Sequence, residues 1–335
     1  MTMKCLVLAD IDKRIIEEFS DISFDFLGYA VSPHNPLKHV ELLDIIPEYD
    51  FMISEFDSID KEVIDKAVRL KMIICARGGV ASVVDIPYAL KKGILVKNMP
   101  GRNANSVAEY VMGVIISDDR YLYKASELVL KGVLQQERYL LPDNYKDSLW
   151  GMDSDSPYRR FRGRGLRNIT LGVVGYGNVG RVVVRYAISL GMHVSLYDHH
   201  RVMNQIPSGV TVVRNMEELL EMSDYISLHC TNRTHEVLMG EREFSKMHRN
   251  AFFINTARGD LVDEDALCQA LNENRIRGAV LDVTRNEPLP NNSKIIGAKN
   301  IMITPHIAGA SEEVTDYCTD MSIYYLREYL SNFIG

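Results

Sequence analysis

Apolar and polar residues alternate in a regular pattern along the first hundred positions of the chain. Four short runs rich in Ile, Val and Leu have the length of β-strands: 5–9, 51–54, 72–76 and 94–97. Three helix-compatible patterns lie among them: 39–46, 61–68 and 86–92. Strands that alternate with helices predict a parallel sheet with helices on both faces.

A long helical pattern begins near Ser106 and fades after Lys131 into a polar stretch, which we interpret as a surface connection up to Asn168. A second series of six candidate strands follows: 169–174, 193–197, 225–229, 251–255, 278–283 and 301–304. Six parallel strands after a glycine-rich turn are typical of a dinucleotide-binding sheet. With a final helix over 311–332, the chain is predicted to be an α/β protein with two doubly wound parallel-sheet domains.

Composition and charge exclude several classes of protein. The 335 residues are 46% hydrophobic and 25% charged, which is the balance of a globular protein with a substantial core. A formal net charge of −7 without a basic block argues against nucleic-acid binding. No apolar run approaches the roughly eighteen residues of a membrane span, so we expect no membrane association.

The cysteines bear on both compartment and metal binding. There are five, widely scattered and without a Cys-x-x-Cys pair: Cys5, Cys75, Cys230, Cys268 and Cys318. Their number and spacing argue against a disulfide framework and against a zinc site. We therefore predict no metal site and a reducing compartment, the cytoplasm.

A glycine-rich turn follows the strand pattern at 170–174. Gly175-Tyr176-Gly177-Asn178-Val179-Gly180 connects this strand to a helical stretch at 181–190. In a dinucleotide site the first glycine permits the turn, the second lets the backbone approach a pyrophosphate, and the third lets helix and strand pack closely. The helix N-terminus then presents N–H groups to the phosphates. An ordinary strand-to-helix turn is the alternative, and the flanking pattern disfavours it.

Asp198 predicts which nicotinamide cofactor the turn binds. It lies eighteen positions after Gly180, at the end of a candidate strand. A carboxylate there accepts hydrogen bonds from the ribose hydroxyls of NAD and repels the 2′-phosphate of NADP. Arg201, three positions on, could offset that repulsion, and Asp198 could instead be a turn residue.

Three polar residues follow the ends of three successive strands. They are Arg258, Glu287 and His306. Ligands bind at the carboxyl ends of the strands in such sheets. A histidine can transfer the proton of a hydroxyl, a carboxylate can orient the ring, and a guanidinium can grip a carboxylate with two hydrogen bonds. Each residue alone has a structural explanation, as a loop ion pair, a turn residue or a helix cap, but the set favours an active site.

These motifs resemble the D-isomer-specific 2-hydroxyacid dehydrogenases, over residues from about 50 to 315. The matching segments are the glycine turn with Asp198, Asn-Thr-Ala-Arg-Gly at 255–259, Leu-Asp-Val-x-x-x-Glu-Pro at 281–288, and Thr-Pro-His-Ile-Ala-Gly at 304–309. The resemblance implies a flavodoxin-like substrate domain, 1–117 with 308–335, and an inserted Rossmann NAD-binding domain, 118–307. It also implies a homodimer, as in phosphoglycerate dehydrogenase-like proteins.

The resemblance assigns roles to individual residues. Arg258 would bind substrate, His306 would be the acid/base, Glu287 its partner, and Asp282 would hold the nicotinamide carboxamide. The cofactor-binding set would be Gly175, Gly177, Asn178, Val179, Gly180, Asp198, Cys230, Thr231, Thr256, Ala257, Asp282 and His306. At 230–231 this chain has Cys-Thr where most relatives have x-Pro, which alters one wall of the cofactor pocket.

A second glycine loop, in the first half of the chain, resembles the family's anion-binding loop. Arg77, Gly78 and Gly79 follow the strand pattern at 72–76, and backbone amides there would bind the substrate carboxylate. Asn103 lies in a second matching loop and could reach the substrate. Ordinary turn glycines are the alternative, and 80–85 departs from the commoner Gly-x-Asp-Asn-Ile-Asp pattern.

The implied function is an NAD-dependent oxidoreductase that acts on the CH–OH group of a D-2-hydroxy acid. Its partner would be a small 2-hydroxy or 2-oxo acid, and the sequence does not identify the side chain of that acid. An NADH-sensing regulatory or binding protein on the same scaffold is an alternative, because such relatives can retain the triad. A formate-type enzyme is disfavoured by Glu287, since that branch lacks the carboxylate partner.

Overall fold

The computed structural model describes residues 2–32, 37–134, 154, 156–199, 206–231 and 236–333. Its strands in these ranges are β1 Met3–Val7, β2 Ile22–Phe26, β3 Phe51–Ser54, β4 Met72–Cys75, β5 Leu95–Asn98, β6 Thr170–Val174, β7 His193–Tyr197, β8 Val210–Val212, β9 Tyr225–Leu228, β10 Phe252–Asn255, β11 Gly278–Leu281 and β12 Ile301–Ile303. The α-helices are α1 His39–Ile45, α2 Lys61–Lys66, α3 Ile86–Lys91, α4 Ala104–Asp119, α5 Leu122–Leu130, α6 Pro157–Arg160, α7 Asn178–Ser189, α8 Met216–Met222, α9 Glu241–Lys246, α10 Glu264–Asn272 and α11 Glu312–Phe333.

The chain forms two compact units. The first comprises Met1–Asn103 and Ala310–Gly335, and the second comprises Ala104–Gly309. The predicted domain bounds, 117/118 and 307/308, stay a prediction. The apolar residues of helix α4 pack in the second unit, against β6 and α7.

Each unit contains one parallel sheet. The first unit has the order β2-β1-β3-β4-β5, which is the flavodoxin-like order. The second has β12-β11-β10-β9-β6-β7-β8, which is the Rossmann order with a seventh strand beyond β11. All registered pairs in both sheets are parallel. The predicted fold class is correct, although the sequence pattern omitted two edge strands, β2 and β8.

The predicted long helix from Ser106 is divided in two. Tyr121 adopts a left-handed backbone conformation, with φ of 54°, and it separates α4 from α5. The predicted connection that follows lies largely outside the described residues.

Buried apolar side chains cover both faces of each sheet, as doubly wound parallel sheets require. One face of the first sheet is completed from the far end of the chain. Cys318, Ile323 and Leu326 on α11 are buried against Val7 of β1 and Phe51 of β3. Among the described helices, none has both the length and the apolar character needed to cross a membrane.

Candidate active site

The glycine-rich turn has the geometry of a dinucleotide site. Gly175 has a φ of +100°, and a Cβ at Gly180 would lie 2.1 Å from the carbonyl oxygen of Gly175, so the helix packs directly on the turn. A Cβ at Gly177, in contrast, would meet no atom within 4 Å. The turn therefore leaves open space beside Gly177, at the N-terminus of α7, where the amides can receive a pyrophosphate.

Asp198 is joined to this turn. It lies one residue beyond β7, and its Oδ2 accepts a hydrogen bond of 2.6 Å from the backbone N–H of Tyr176. This bond fixes the carboxylate beside the turn, which is the place of the ribose-binding acid in such sheets. Arg201, which could offset its charge, lies outside the described residues.

The turn that carries Arg258 is organised by one buried amide. Asn255, at the end of β10, accepts a bond of 3.0 Å from the N–H of Ala257 and donates one of 2.8 Å to the carbonyl of Arg258. The Arg258 side chain is exposed, and its Nη1 donates to the carbonyl of Ala257 at 2.6 Å. Asn255 thus holds the backbone while the guanidinium lies at the surface of the unit.

Gly259 brings the Arg258 turn against the turn that carries Glu287. A Cβ at Gly259 would lie 2.0 Å from the carbonyl oxygen of Thr284, so only glycine permits this approach. Glu287 Oε1 in turn accepts a bond of 3.1 Å from the N–H of Thr284. The turns after β10 and β11 are therefore in direct contact.

His306 and Glu287 form the central pair of the site. Nδ1 of His306 lies 2.7 Å from Oε2 of Glu287, and the histidine side chain is 54% exposed. Within the described ranges no group bonds to Nε2, which leaves that nitrogen for a ligand. His306 adopts a φ of 58°, a left-handed conformation that is costly for a side chain and typical of functional loops.

Asp282 holds the loop that carries His306. Its Oδ1 accepts bonds from Thr304 Oγ1 at 2.6 Å and from the N–H of Ile307 at 2.8 Å, and its Oδ2 accepts from the N–H of Ala308 at 2.9 Å. The carboxylate is 2% exposed. These bonds stabilise the loop backbone on both sides of His306.

The network extends to helix α4. The hydroxyl of Tyr110 lies 2.6 Å from Thr304 Oγ1, and burial raises the pKa of Tyr110, so the phenol stays protonated. Asp282 is therefore a structural centre of the loop, whatever it contacts in the holoenzyme.

The predicted substrate loop lies in the first unit. Gly78 and Gly79 are exposed beyond β4, and Gly78 accepts a bond of 2.8 Å at its carbonyl from Asn98 Nδ2. A Cβ at Gly79 would meet nothing within 4 Å, so there is open space beside this exposed residue. Asn103 follows Arg102, whose guanidinium donates to the buried Glu55 at 2.5 Å.

Comparison with known proteins identifies the family. The model of the D-isomer specific 2-hydroxyacid dehydrogenase, NAD binding domain, matches residues 137–308. The D-3-phosphoglycerate dehydrogenase of Methanocaldococcus jannaschii is 34% identical over 83% of this chain and 49% of its own length, so the chain spans about half of that relative. The glyoxylate reductase of Thermofilum pendens is 34% identical over 86% of this chain and 80% of its own. The chain belongs to this dehydrogenase family.

A solved structure extends the similarity to both units of this 2-hydroxyacid dehydrogenase homologue. An acyclic imino acid reductase, Bsp5, in complex with NADPH and D-Arg, is 28% identical with a TM-score of 0.75, and covers 98% of this chain and 97% of its own. The predicted family and the fold with a Rossmann-type NAD-binding domain are confirmed. The family model and the glyoxylate reductase relative confirm the assignment to NAD-linked oxidoreductases that act on CH–OH donors.

Sequence reasoning missed one residue beside the glycine turn. Both ring nitrogens of His229, just beyond β9, are buried, and neither has a hydrogen-bond partner in the described structure. Its carbonyl oxygen would lie 2.7 Å from a Cβ at Gly175, so it supports the glycine turn. Burial lowers the pKa of His229 to about 3, which keeps the ring neutral. His229 is the last residue of the candidate strand 225–229, but periodicity cannot show an unpartnered ring.

Two further polar groups lie at the ends of the same strands. Thr256, one residue beyond β10, also has a buried hydroxyl without a partner in the described structure. Burial raises the pKa of the neighbouring Cys230 to about 11, so its thiol stays protonated. Unpartnered buried polar groups at strand ends are consistent with a bound dinucleotide that supplies the missing contacts.

Proposed function

We propose that the protein interconverts a D-2-hydroxy acid and its 2-oxo acid with NAD as the redox partner. The observation that carries this proposal is the His306–Glu287 pair, 2.7 Å apart, on a loop held by Asp282. Such a pair supplies the proton that must accompany hydride transfer at a carbonyl carbon. When bound, the nicotinamide supplies the hydride in reduction and accepts it in oxidation.

Each residue of the pair has a separate task. In reduction His306 donates its Nε2 proton to the carbonyl oxygen at C2, and in oxidation it removes the proton of the hydroxyl. Glu287 accepts from Nδ1, which fixes the tautomer and stabilises the protonated ring during the reaction. Atoms and charges balance, because one hydride and one proton together convert the carbonyl to the alcohol.

Substrate binding needs groups that recognise the C1 carboxylate. Arg258 would bind it with two parallel hydrogen bonds and polarise the adjacent carbonyl. Amides of the Gly78-Gly79 loop would bind the same carboxylate, and Asn103 would add one polar contact. These assignments rest on the exposure of Arg258 and on the accessible glycine loop.

The cofactor would be held by residues that the structure prepares for it. Gly175, Gly177 and Gly180, with the N-terminal residues Asn178 and Val179 of α7, would bind the pyrophosphate. Asp198 would bind the ribose. The remaining contacts would come from groups at the ends of β9 and β10 and around the His306 loop: Cys230, Thr231, Thr256, Ala257 and Asp282.

We further propose a homodimer located in the cytoplasm. No residue of α5 is buried, and Leu122, Tyr123 and Leu130 are 56%, 70% and 84% exposed, which is an apolar surface suited to a second copy. All five cysteines are free thiols, which favours a reducing compartment.

A panel of 2-oxo acids assayed with NADH tests the proposed function. We expect absorbance loss with at least one acid among glyoxylate, pyruvate, hydroxypyruvate, 3-phosphohydroxypyruvate, oxaloacetate and 2-oxoglutarate. The product should be the D-isomer, which chiral chromatography identifies. Tight NADH binding without turnover of any acid would instead favour the regulatory alternative.

Cofactor preference should follow Asp198. We expect a higher kcat/KM with NADH than with NADPH, because the carboxylate beside the turn repels a 2′-phosphate. Asp198→Ala should narrow the ratio by roughly tenfold or more, and Asp224→Asn, in the same unit but at the amino end of β9, is the control. Equal use of both cofactors by the unmodified protein would contradict the assignment.

A further inference from the structure

Arg77 lies at the carboxyl edge of the first sheet, and within the described residues its guanidinium has no hydrogen-bonded or ion-paired acid. It follows β4, and it packs over the ring of Phe56 at 5.3 Å from the centroid. Phe56 follows β3 and meets Tyr29 edge-on at 5.2 Å. The three side chains therefore form a wall of one cation and two aromatic rings beyond the ends of β2, β3 and β4, which we call the Arg77 wall.

Two acids that follow β3 already accept hydrogen bonds from other donors. Glu55 is 5% exposed and accepts from Arg102 Nη2 at 2.5 Å, and Asp57 accepts from Ser54 at 2.8 Å. Within the described ranges no hydrogen bond or ion pair involves the Arg77 guanidinium. Glu55 is thus ion-paired with Arg102, and its charge acts on Arg77 without a hydrogen bond or ion pair between the two side chains.

A guanidinium in this state is prepared for an anionic ligand. Its planar N–H groups match a carboxylate or phosphate, and stacking on Phe56 restricts its conformations before the ligand arrives. The position also suits a ligand, because flavodoxin-like sheets bind small molecules at the carboxyl ends near the β1/β3 switch point, where Phe56 lies.

We propose that Arg77 recognises a second anionic group on the substrate, a carboxylate or a phosphate beyond C2. This inference rests on the proposed function, in which Arg258 and the Gly78-Gly79 amides bind the C1 carboxylate. With that carboxylate already bound, the Arg77 guanidinium serves the distal end of the molecule. The preferred substrates are then dianionic 2-oxo acids, and monoanionic acids are poorer.

The role of Arg77 is tested by the ratio of the kcat/KM value for dianionic 2-oxo acids to that for monoanionic 2-oxo acids. Oxaloacetate and 2-oxoglutarate carry a distal carboxylate, 3-phosphohydroxypyruvate carries a distal phosphate, and pyruvate and hydroxypyruvate carry neither. We expect the best dianionic acid to exceed hydroxypyruvate, and Arg77→Met to reduce that ratio by about 10- to 100-fold, the usual worth of a hydrogen-bonded charge pair. Comparing carboxylate and phosphate acids identifies which distal group is recognised.

Three variants make the result specific. Arg77→Lys should retain part of the ratio, because it keeps the charge without the fork, and Phe56→Leu should lower it less than Arg77→Met. Arg69→Gln removes the same charge at the opposite, amino edge of the sheet, where Arg69 pairs with Asp50, and should leave the ratio unchanged. Thermal unfolding of each variant confirms that it is folded.

The outcomes separate this inference from the proposed function. A monoanionic acid as the best substrate, or an equal loss for both classes in Arg77→Met, overturns the role of Arg77 while the dehydrogenase activity stands. Absence of turnover with every acid removes the proposed function and this inference with it.

Discussion

Replacement of His306 by alanine is expected to lower kcat by about a hundredfold to ten-thousandfold, the range for loss of a positioned acid/base. NADH should still bind, because the glycine turn and Asp198 lie on other strands and keep their contacts. Stopped-flow turnover with the best acid of the panel, together with fluorescence titration of NADH, measures both quantities. A variant with nearly unchanged kcat would require a different proton donor.

Two further variants separate the partners of His306. Glu287→Gln should be milder and should lower kcat with little change in KM, because the carboxylate 2.7 Å from Nδ1 no longer orients the ring and no longer stabilises the charge that it carries during proton transfer. Arg258→Lys should instead raise KM and reduce kcat, because an ammonium cannot form two parallel bonds. An unchanged kcat in Glu287→Gln would leave Glu287 as a structural neighbour only.

Acid should destabilise the protein through His229. Burial lowers the pKa of this ring to about 3 from its ordinary value of 6.5. Between these values the unfolded chain binds one proton more than the folded chain, so stability rises with pH. The contribution is complete above pH 6.5 and is lost as the pH falls toward 3. At 1.36 kcal/mol per pH unit, about 2 kcal/mol is lost by pH 5 and roughly 5 kcal/mol over the whole window.

His229→Leu should remove this pH dependence, because leucine fills the buried space without a titrating group. Urea unfolding at pH 5 and pH 7.5, followed by circular dichroism, gives the free energy of unfolding of each variant. His193→Leu, at an exposed position of β7, is the control and should keep the slope of the unmodified protein. An equal acid loss in His229→Leu would mean that other groups cause the acid sensitivity.

The buried strands were predictable from sequence, and the edge strands were not. Every residue of β3, β4, β9 and β10 is buried, and at least three of the four residues in each strand are apolar. Strand β2, at the edge of its sheet, is only partly buried and includes Ser and Asp. Strand β8 has three residues, two of them exposed, and gives no such run.

The division of the long helix also escaped prediction for a physical reason. Tyr121 takes a left-handed conformation that sequence patterns assign to glycine or asparagine. The apolar periodicity of α4 and α5 continues across it without a break. The two helices differ in their packing: apolar residues of α4 are buried in the second unit, whereas no residue of α5 is buried.

The site was predictable where a residue is positioned by a strand end. Arg258, Glu287 and His306 follow neighbouring strands, so a parallel sheet brings their turns to one edge. Contacts between backbone atoms were not predictable in the same way. The approach of Gly259 to Thr284, at 2.0 Å for an added Cβ, depends on how two turns fold against each other.

The order in which the chain is synthesised matters for the unit to which α11 contributes. Residues 104–309 form one continuous segment, so the second unit is complete on the ribosome before α11 emerges. The first sheet is made much earlier, but one of its faces is closed by Cys318, Ile323 and Leu326 of α11. The apolar face over β1 and β3 is thus exposed to solvent while residues 104–309 are translated. We expect chaperones to bind the nascent chain at this face.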